Sequence, residues 1–167
     1  EKLGNITMHY TSFTLDKRQY LEQSDKSVLR SPTYQYNLLN RIGHKKCALC
    51  GCEIPEIIQG AHIWGVAEIA KSTVLSEDDK FMHAISGHNG LWLCQNHHKL
   101  FDSNIIMLDT EGHIKMKKGI LDKNILFING ITNVTTLLPH VLSDEFKWYI
   151  SQRNQLLNSE YTHLLSV

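Results

Sequence analysis

The pattern of apolar and polar positions along the chain predicts an alternation of helices and short strands. After Pro32, apolar residues recur at helical spacing as far as Gly43, a residue that favours the end of a helix. The helical positions are Tyr34, Leu38, Leu39 and Ile42. Apolar runs over residues 57–63 and 91–93 are typical of buried strands. Residues 1–30 alternate short apolar and polar stretches, which suits a strand or an extended arm.

Capping signals predict two further helices. Ser76 precedes an acidic first turn, and the apolar side of that helix would consist of Phe81, Met82 and Ile85. Ser143 caps a second pattern that runs from Asp144 to Leu157. Its inward positions would be Phe146, Ile150, Leu156 and Leu157.

Between these helices, residues 104–116 have the pattern of a hairpin around a Thr-Glu-Gly turn, and residues 125–128 could add a strand. Together the elements predict an α+β fold. At 167 residues the chain is long enough for one compact domain. We divide it into an N-terminal arm and helix (1–46), a core (47–104), and a hairpin with a C-terminal helix (105–167).

Composition excludes a strong overall attraction to nucleic acid, since 17 basic and 17 acidic residues give a net charge of zero. Any contact with DNA would therefore come from local basic patches, although such a patch can also be a plain solvated surface. The candidates are Arg41, Lys45, Lys46 and Lys99.

The chain has no run approaching the ~18 apolar residues of a membrane span, and no signal peptide is visible. We therefore expect a cytoplasmic protein with no membrane partner. The chain begins at Glu1 without an initiating Met, so it is either a trimmed chain or one domain of a longer protein, whose further domains would then be partners.

The cysteines are interleaved with histidines at metal-ligand spacing and do not suggest a disulfide framework. Cys47-x-x-Cys50 and Cys94-x-x-His97 together make a four-ligand zinc set, which is a closed, structural arrangement. Cys52 is left over: it could substitute for one of these ligands, or it could be a small buried residue.

If the residues after Cys94 are helical, they carry two distinct faces. His97 and Phe101 share one face, which can close the zinc set and pack. His98 and Asp102, also four residues apart, share the neighbouring face and could converge on a second cation.

The order of these motifs resembles the HNH endonuclease family, in particular the branch common in bacterial restriction and defence systems. The resemblance covers roughly residues 47–102. The motifs are Cys47-x-x-Cys50, Ala61-His62-Ile63, Asn89-Gly90-Leu91 and Leu93-Cys94-x-x-His97-His98-x-x-Phe101-Asp102.

The resemblance implies a zinc-stapled ββα-metal core, in which two strands and a helix surround one divalent cation. His62 would be the general base at a solvent-reachable site, contributing little to stability. Asn89 would hold the loop and orient His62. His98 would bind the catalytic cation with Asp102 as its partner. His83 and His88 do not occupy positions that the family uses.

One position departs from the family pattern. Ala61 stands where many members carry a metal-binding Asp or His, which leaves His98 and Asp102 as the clear ligands. The cation could be Mg²⁺, Mn²⁺ or Ni²⁺, and an imidazole ligand favours Mn²⁺ or Ni²⁺.

The expected function is that of a metal-dependent DNA endonuclease in restriction or phage defence. The alternatives are a zinc-stabilised nucleic-acid-binding module with an inactive centre and a purely structural adaptor. A homodimer is a further expectation, because two single-metal centres would suit cutting both strands.

Overall fold

The computed structural model describes residues 32–164 and shows the α+β fold that the sequence predicts. The strand or arm expected within residues 1–30 lies outside the described residues. The helices are α1 (Pro32–Ile42), α2 (Val66–Lys71), α3 (Glu77–Ile85), α4 (Gln95–Asp102), α5 (Asp122–Ile131) and α6 (Asp144–Asn154). The strands are β1 (Ile58–His62), β2 (Gly90–Cys94), β3 (Ile106–Leu108), β4 (Ile114–Lys117) and β5 (Tyr161–His163). Short 3-10 helices cover Pro55–Ile57, Gly87–Asn89 and Pro139–Val141.

Strands β1 and β2 form an antiparallel pair that leads directly into α4. In its register, His62 lies opposite Gly90 and Ile58 lies opposite Cys94. The pair therefore places the end of β1 next to the start of β2, while the end of β2 carries Cys94 to the head of α4.

Helix α1 packs across this hairpin and ends where the sequence predicts. Gly43 adopts a φ of 83°, a left-handed conformation that costs glycine little, and its N–H donates to the carbonyl of Leu39. Tyr34 and Leu38 are fully buried beneath the helix, whereas Leu39 is 42 % exposed. The buried face is therefore narrower than the predicted one.

Helix α3 begins with the predicted cap, in a complete capping box. The backbone N–H of Asp79 donates to the Ser76 hydroxyl, and the Asp79 carboxylate accepts from the backbone N–H of Ser76. Phe81 and Ile85 are buried as expected. Met82 is 54 % exposed, because it lies one position away from the face that these two residues share.

The predicted hairpin is present as β3 and β4, but the strand predicted at 125–128 is wrong. Those residues lie within helix α5, which has Asp122 in its first turn. The third strand of the sheet is β5, which pairs with β4. A four-residue apolar run does not distinguish a strand from a segment of helix.

Helix α6 is capped by Ser143, whose hydroxyl accepts from the backbone N–H of Phe146, and it buries Phe146 and Ile150 as predicted. It ends at Asn154. Leu156 therefore lies beyond the helix and is half exposed, contrary to the prediction that it turns inward.

One set of packed buried residues extends from Tyr34 to Leu164 and includes side chains from β1, β2, α4, β3, β4 and α6. The hairpin and α4 thus share their core with the flanking helices. Within residues 32–164, no helix is both long and apolar enough to cross a membrane.

Candidate metal and catalytic centre

The predicted zinc ligands converge on one point. The ligand atoms all lie within 4.8 Å of one another, and the set consists of Cys47, Cys50, Cys94 and His97. The Sγ atoms of Cys50 and Cys94 are 3.8 Å apart. With Zn–S bonds of about 2.3 Å, neighbouring tetrahedral sulfurs lie about 3.8 Å apart. The arrangement therefore fits a tetrahedral zinc ion.

The chain turns tightly at the first cysteine pair. Gly51 takes a φ of 69° and donates its N–H to the carbonyl of Cys47, while the N–H of Cys47 bonds to the carbonyl of Cys52. Both thiols of the pair are thereby directed to one side. Cys52 stays outside the cluster and is half-buried, so it is less enclosed than predicted.

The imidazole of His97 is oriented by a residue that the sequence analysis did not identify. Nδ1 of His97 lies 3.2 Å from Sγ of Cys94 and 3.5 Å from Sγ of Cys47, so Nδ1 is the ligand atom. Nε2 lies 2.9 Å from the hydroxyl oxygen of the buried Thr132, at the end of α5. Because a metal ligand uses the lone pair of Nδ1, Nε2 carries the hydrogen and donates it to Thr132.

Burial disfavours the charged forms of the ligands when no ion is bound. It raises the pKa of Cys50 to about 12 and lowers the pKa of His97 to about 4. A bound zinc ion would reverse this for the thiols, because zinc ligands must be deprotonated. The cluster therefore gains its stabilisation from the metal.

The neighbouring face of α4 carries the second predicted pair. Nε2 of His98 lies 3.3 Å from a carboxylate oxygen of Asp102, and Nδ1 of His98 lies 3.0 Å from the side-chain oxygen of Gln59. The amide oxygen only accepts, so Nδ1 carries the hydrogen; Nε2 then faces the carboxylate either as the N–H of an imidazolium or, in the neutral ring, as a lone pair. Two acceptors at this distance attract a proton or a cation between them. The pair therefore fits a divalent cation.

Within residues 32–164, no third His, Cys, Asp or Glu ligand joins His98 and Asp102. Ala61 is fully buried and offers no donor atom, as the departure from the family pattern implies. A cation at this face would therefore complete its coordination with water or substrate oxygens.

His62 is buried, contrary to the expectation of a solvent-reachable base. Only 4 % of the residue is exposed, and its ring stacks on Tyr34 with centroids 4.0 Å apart. Nε2 lies 2.7 Å from the carbonyl oxygen of Ala84, so Nε2 donates and Nδ1 keeps its lone pair. Nδ1 is buried without a hydrogen-bond partner in the described part of the chain.

Burial also determines the protonation of His62. Desolvation lowers the pKa of His62 to about 4, so the ring is neutral at pH 7. A neutral ring can accept a proton, but the same burial makes the protonated form costly. The environment of His62 is therefore suited to a base only if the charge that it acquires is compensated by substrate or solvent.

Asn89 is fully buried and holds the loop, as expected. Its side-chain oxygen accepts from the N–H of Trp64 at 2.7 Å, and its amide donates to the carbonyls of Trp64 and His83. The carbonyl of Asn89 accepts from the N–H of Ile63. Asn89 therefore fixes the chain immediately after His62, and the structure gives no direct bond from its side chain to the imidazole.

His83 and His88 make their contacts away from both ligand groups. Nδ1 of His83 lies 2.8 Å from the Tyr149 hydroxyl, and Nδ1 of His88 lies 2.7 Å from the Ser143 hydroxyl. The first bond joins α3 to α6, and the second joins the 3-10 helix that contains Asn89 to the cap of α6. Neither histidine belongs to a ligand cluster among residues 32–164.

The candidate DNA contacts differ in how their charges are used. Arg41 donates to the carbonyls of Gly87, Gly90 and Val141, so its guanidinium is directed into the protein. Lys46 pairs with an exposed carboxylate, and Lys45 lies over the ring of Trp92. Lys99 is exposed on α4 next to His98.

A cleft of about 460 Å³ opens beside Asp102. Its lining includes Trp64, Glu68 and the half-buried Arg153 of α6. The Arg153 guanidinium lies over the ring of Phe101 at 3.8 Å. The cleft thus combines an aromatic wall, a cation and the carboxylate of the second ligand pair.

Sequence reasoning missed Tyr34, Gln59, Thr132 and Arg153. Gln59 precedes His62 by three positions, and strand alternation places it on the other face of β1, towards α4. The other three residues are distant in the chain from the groups that they contact: Tyr34 contacts His62, Thr132 contacts His97, and Arg153 contacts the carbonyl of Ile63. No local pattern in the sequence indicates such contacts.

The β1–β2 hairpin and helix α4 form a ββα arrangement, with the Cys–His cluster on one side of the helix and the His98–Asp102 pair beside it. Residues 47–109, somewhat more than a third of the chain, match the family model described as HNH endonuclease. The match confirms the resemblance drawn from the motifs. No curated protein matches the chain at a significant level.

Proposed function

We propose that the protein is a metal-dependent DNA endonuclease whose centre consists of His62, Asn89, His98 and Asp102. The proposal is supported by the family match and, above all, by the pairing of His98 with Asp102. The two side-chain atoms lie 3.3 Å apart on an accessible helix face and could share a cation, and the bond from Nδ1 to Gln59 would leave Nε2 of the neutral ring as the ligand atom.

In this proposal each residue acts through a stated atom. Nδ1 of His62 would accept the proton of the attacking water, because Nε2 is already committed to the Ala84 carbonyl. Asn89 holds the backbone that carries His62. A divalent cation at His98 and Asp102 would supply charge stabilisation at the scissile phosphate and the leaving 3′ oxygen. Zinc at the cysteine cluster would have a structural role only.

Lys99 is the basic residue that we favour for contact with the DNA backbone, because it is exposed next to His98. Arg41 is not a DNA contact in this proposal, because its N–H groups donate to backbone carbonyls of the protein. Lys45 and Lys46 remain candidate contacts. A role in restriction or phage defence belongs to the proposal through the family resemblance alone. A homodimer belongs to it because two single-metal centres would suit cutting both strands.

A second candidate is a zinc-stabilised DNA-binding module without cleavage activity. Two observations favour it, namely the burial of His62 and the absence of a ligand at Ala61. The two functions differ in a measurable way. A nuclease needs a divalent cation at His98 and Asp102, whereas a binding module retains DNA affinity without it.

The test is nicking of supercoiled plasmid across titrations of Mg²⁺, Mn²⁺ and Ni²⁺, with zinc content measured in parallel. We expect cleavage, with Mn²⁺ or Ni²⁺ at least as effective as Mg²⁺. Asp102→Asn should require a higher cation concentration and lose about 10-fold or more in rate without releasing zinc. Asp122→Asn, at an exposed position on α5, is the matched control.

Identical cation titrations for the wild-type protein and Asp102→Asn would contradict the proposed centre. DNA binding without cleavage under every cation would favour the binding module. Zinc loss in Asp102→Asn would show that the two ligand sets on α4 are not separate.

A further inference from the structure

We propose that Tyr34, on helix α1 outside the matched segment, is a positioning residue that fixes the imidazole of His62 relative to the backbone of Asn89. This inference rests on the proposed function, because it assigns Tyr34 a role in the same catalytic centre.

The ring of Tyr34 lies flat against the imidazole of His62. The centroids are 4.0 Å apart and the planes differ by 11°. Nε2 of His62 lies 2.7 Å from the Ala84 carbonyl oxygen. A hydrogen bond fixes one edge of the imidazole and Tyr34 covers one face, so the ring cannot tilt without losing one of the two contacts.

The hydroxyl of Tyr34 reaches the second residue of the centre. It donates a long hydrogen bond, 3.4 Å, to the carbonyl oxygen of Asn89, which also accepts from the N–H of Ile63. One side chain therefore touches both His62 and the backbone of Asn89. Burial raises the pKa of Tyr34, so the hydroxyl keeps its proton and remains a donor.

Two glycines in the matched segment leave space for this side chain. A Cβ on Gly90 would overlap the Tyr34 hydroxyl, and a Cβ on Gly60 would lie 2.9 Å from the edge of the Tyr34 ring. Gly60 is two residues before His62 and Gly90 directly follows Asn89. Both strands of the hairpin are thus shaped around Tyr34 at the level of the proposed centre.

Helix α1 is also fixed along its length. Asn37 donates to the carbonyl of Ile85, and Arg41 donates to the carbonyls of Gly87 and Gly90. Together with Tyr34, these residues form one face of α1 that follows the loop from α3 to Asn89. Tyr34 is therefore placed by a rigid helix, as a positioning residue must be.

The experiment compares Tyr34→Leu, Tyr34→Phe and Leu38→Ala in the full chain. Leu38 is the matched control, because it is fully buried one turn further along the same helix and packs beside the same glycines. Each variant is assayed for zinc content, melting temperature, kcat and KM for plasmid nicking, at a temperature where all are folded.

We expect Tyr34→Leu to lower kcat by about 10-fold or more with little change in KM, since misplacement of a base affects the chemical step. Tyr34→Phe keeps the stacked ring and should restore most of kcat. Leu38→Ala should lower the melting temperature but leave kcat within about 3-fold. Equal kcat losses in Tyr34→Leu and Leu38→Ala would overturn the inference.

A second readout separates this inference from the proposed function. In protein labelled with ¹⁵N-histidine, the His62 signal, assigned by its loss in His62→Gln, reports the hydrogen on Nε2. Tyr34→Leu should change that signal and Leu38→Ala should not. If the wild-type protein does not cleave DNA, the proposed function fails while this test still decides the placement of His62. An unchanged His62 signal in Tyr34→Leu would overturn the positioning role.

Discussion

The guanidinium of Arg153 donates a hydrogen bond of 3.1 Å to the carbonyl oxygen of Ile63. Ile63 directly follows His62, so helix α6 fixes the end of strand β1 across 90 residues of chain. The same guanidinium donates to the carbonyl of Phe101, next to Asp102. One cation therefore joins the strand that carries the proposed base to the helix that carries the proposed cation ligands.

Replacing Arg153 should loosen this junction. Arg153→Met leaves the carbonyls of Ile63 and Phe101 without their donor, and we expect a loss of about 2–4 kcal/mol in the free energy of unfolding. Arg153→Lys should recover part of it. Denaturant unfolding measures the effect, with Gln152→Met on the same helix as the control. Equal stability of Arg153→Met and Gln152→Met would contradict the proposed junction.

Zinc binding and folding should be lost together when a cluster thiol is removed. Cys47→Ser should lose zinc and its cooperative unfolding transition, because metal binding and folding are linked in such a site. Cys52→Ser is the matched control, since Cys52 is close in the chain but outside the cluster. Elemental analysis and thermal unfolding provide the measurements. Well-folded wild-type protein without zinc would exclude the cluster as a zinc site.

Thr132 should affect zinc affinity without being a ligand. Thr132→Val keeps the shape of the side chain but removes the acceptor for Nε2–H of His97, and loss of such a partner weakens metal binding by about 10–100-fold. Competition with a chelator measures this. Thr136→Val provides a comparison at a threonine that is not bonded to His97. An unchanged affinity in Thr132→Val would show that His97 is oriented by other contacts.

The burial of His62 predicts a stability that depends on pH. The pKa of His62 is lowered to about 4 in the folded protein, against about 6.5 in an unfolded chain. Between these values the unfolded chain binds the proton and the folded chain does not, so stability should fall as pH decreases from about 6.5 to 4. His62 should account for up to about 3 kcal/mol of this loss in the free energy of unfolding.

In His62→Asn the free energy of unfolding should depend less steeply on pH between about 4 and 6.5, with a slope smaller by about one bound proton, as measured by unfolding at each pH. Comparing the two proteins cancels the contribution of His97, whose pKa is also lowered. The variant should also be less stable than the wild type at pH 7, because the stacking on Tyr34 and the bond to Ala84 are lost. A parallel pH dependence in both proteins would show that His62 is not buried in solution.

Much of the centre could be predicted from the sequence because its residues lie close together along the chain. His97, His98 and Asp102 sit on one short helix that Cys94 directly precedes, and helical geometry alone separates the two faces. The caps Ser76 and Ser143 were predictable for the same reason, since each bonds a residue three positions later. Local spacing determines these contacts.

The burial of His62 could not be predicted in this way. It depends on the packing of α1 and α3 against β1, and these contacts are set by tertiary structure. The helix around residues 125–128 could not be predicted either, because four apolar residues fit a strand as well as a helix and the surrounding packing decides between them.

Adjacent residues on α4 belong to two different groups: His97 to the Cys–His cluster and His98 to the proposed cation pair with Asp102. One helical residue corresponds to a rotation of about 100° and a rise of about 1.5 Å. Inserting or deleting one residue between positions 94 and 102 would therefore rotate at least one of these side chains away from the residues that it faces, regardless of the residue type inserted or removed. The exposed connection between α2 and α3, around Thr73 and Val74, carries no such restriction. We therefore expect insertions and deletions in that connection to preserve the two ligand groups and those in α4 to disrupt them.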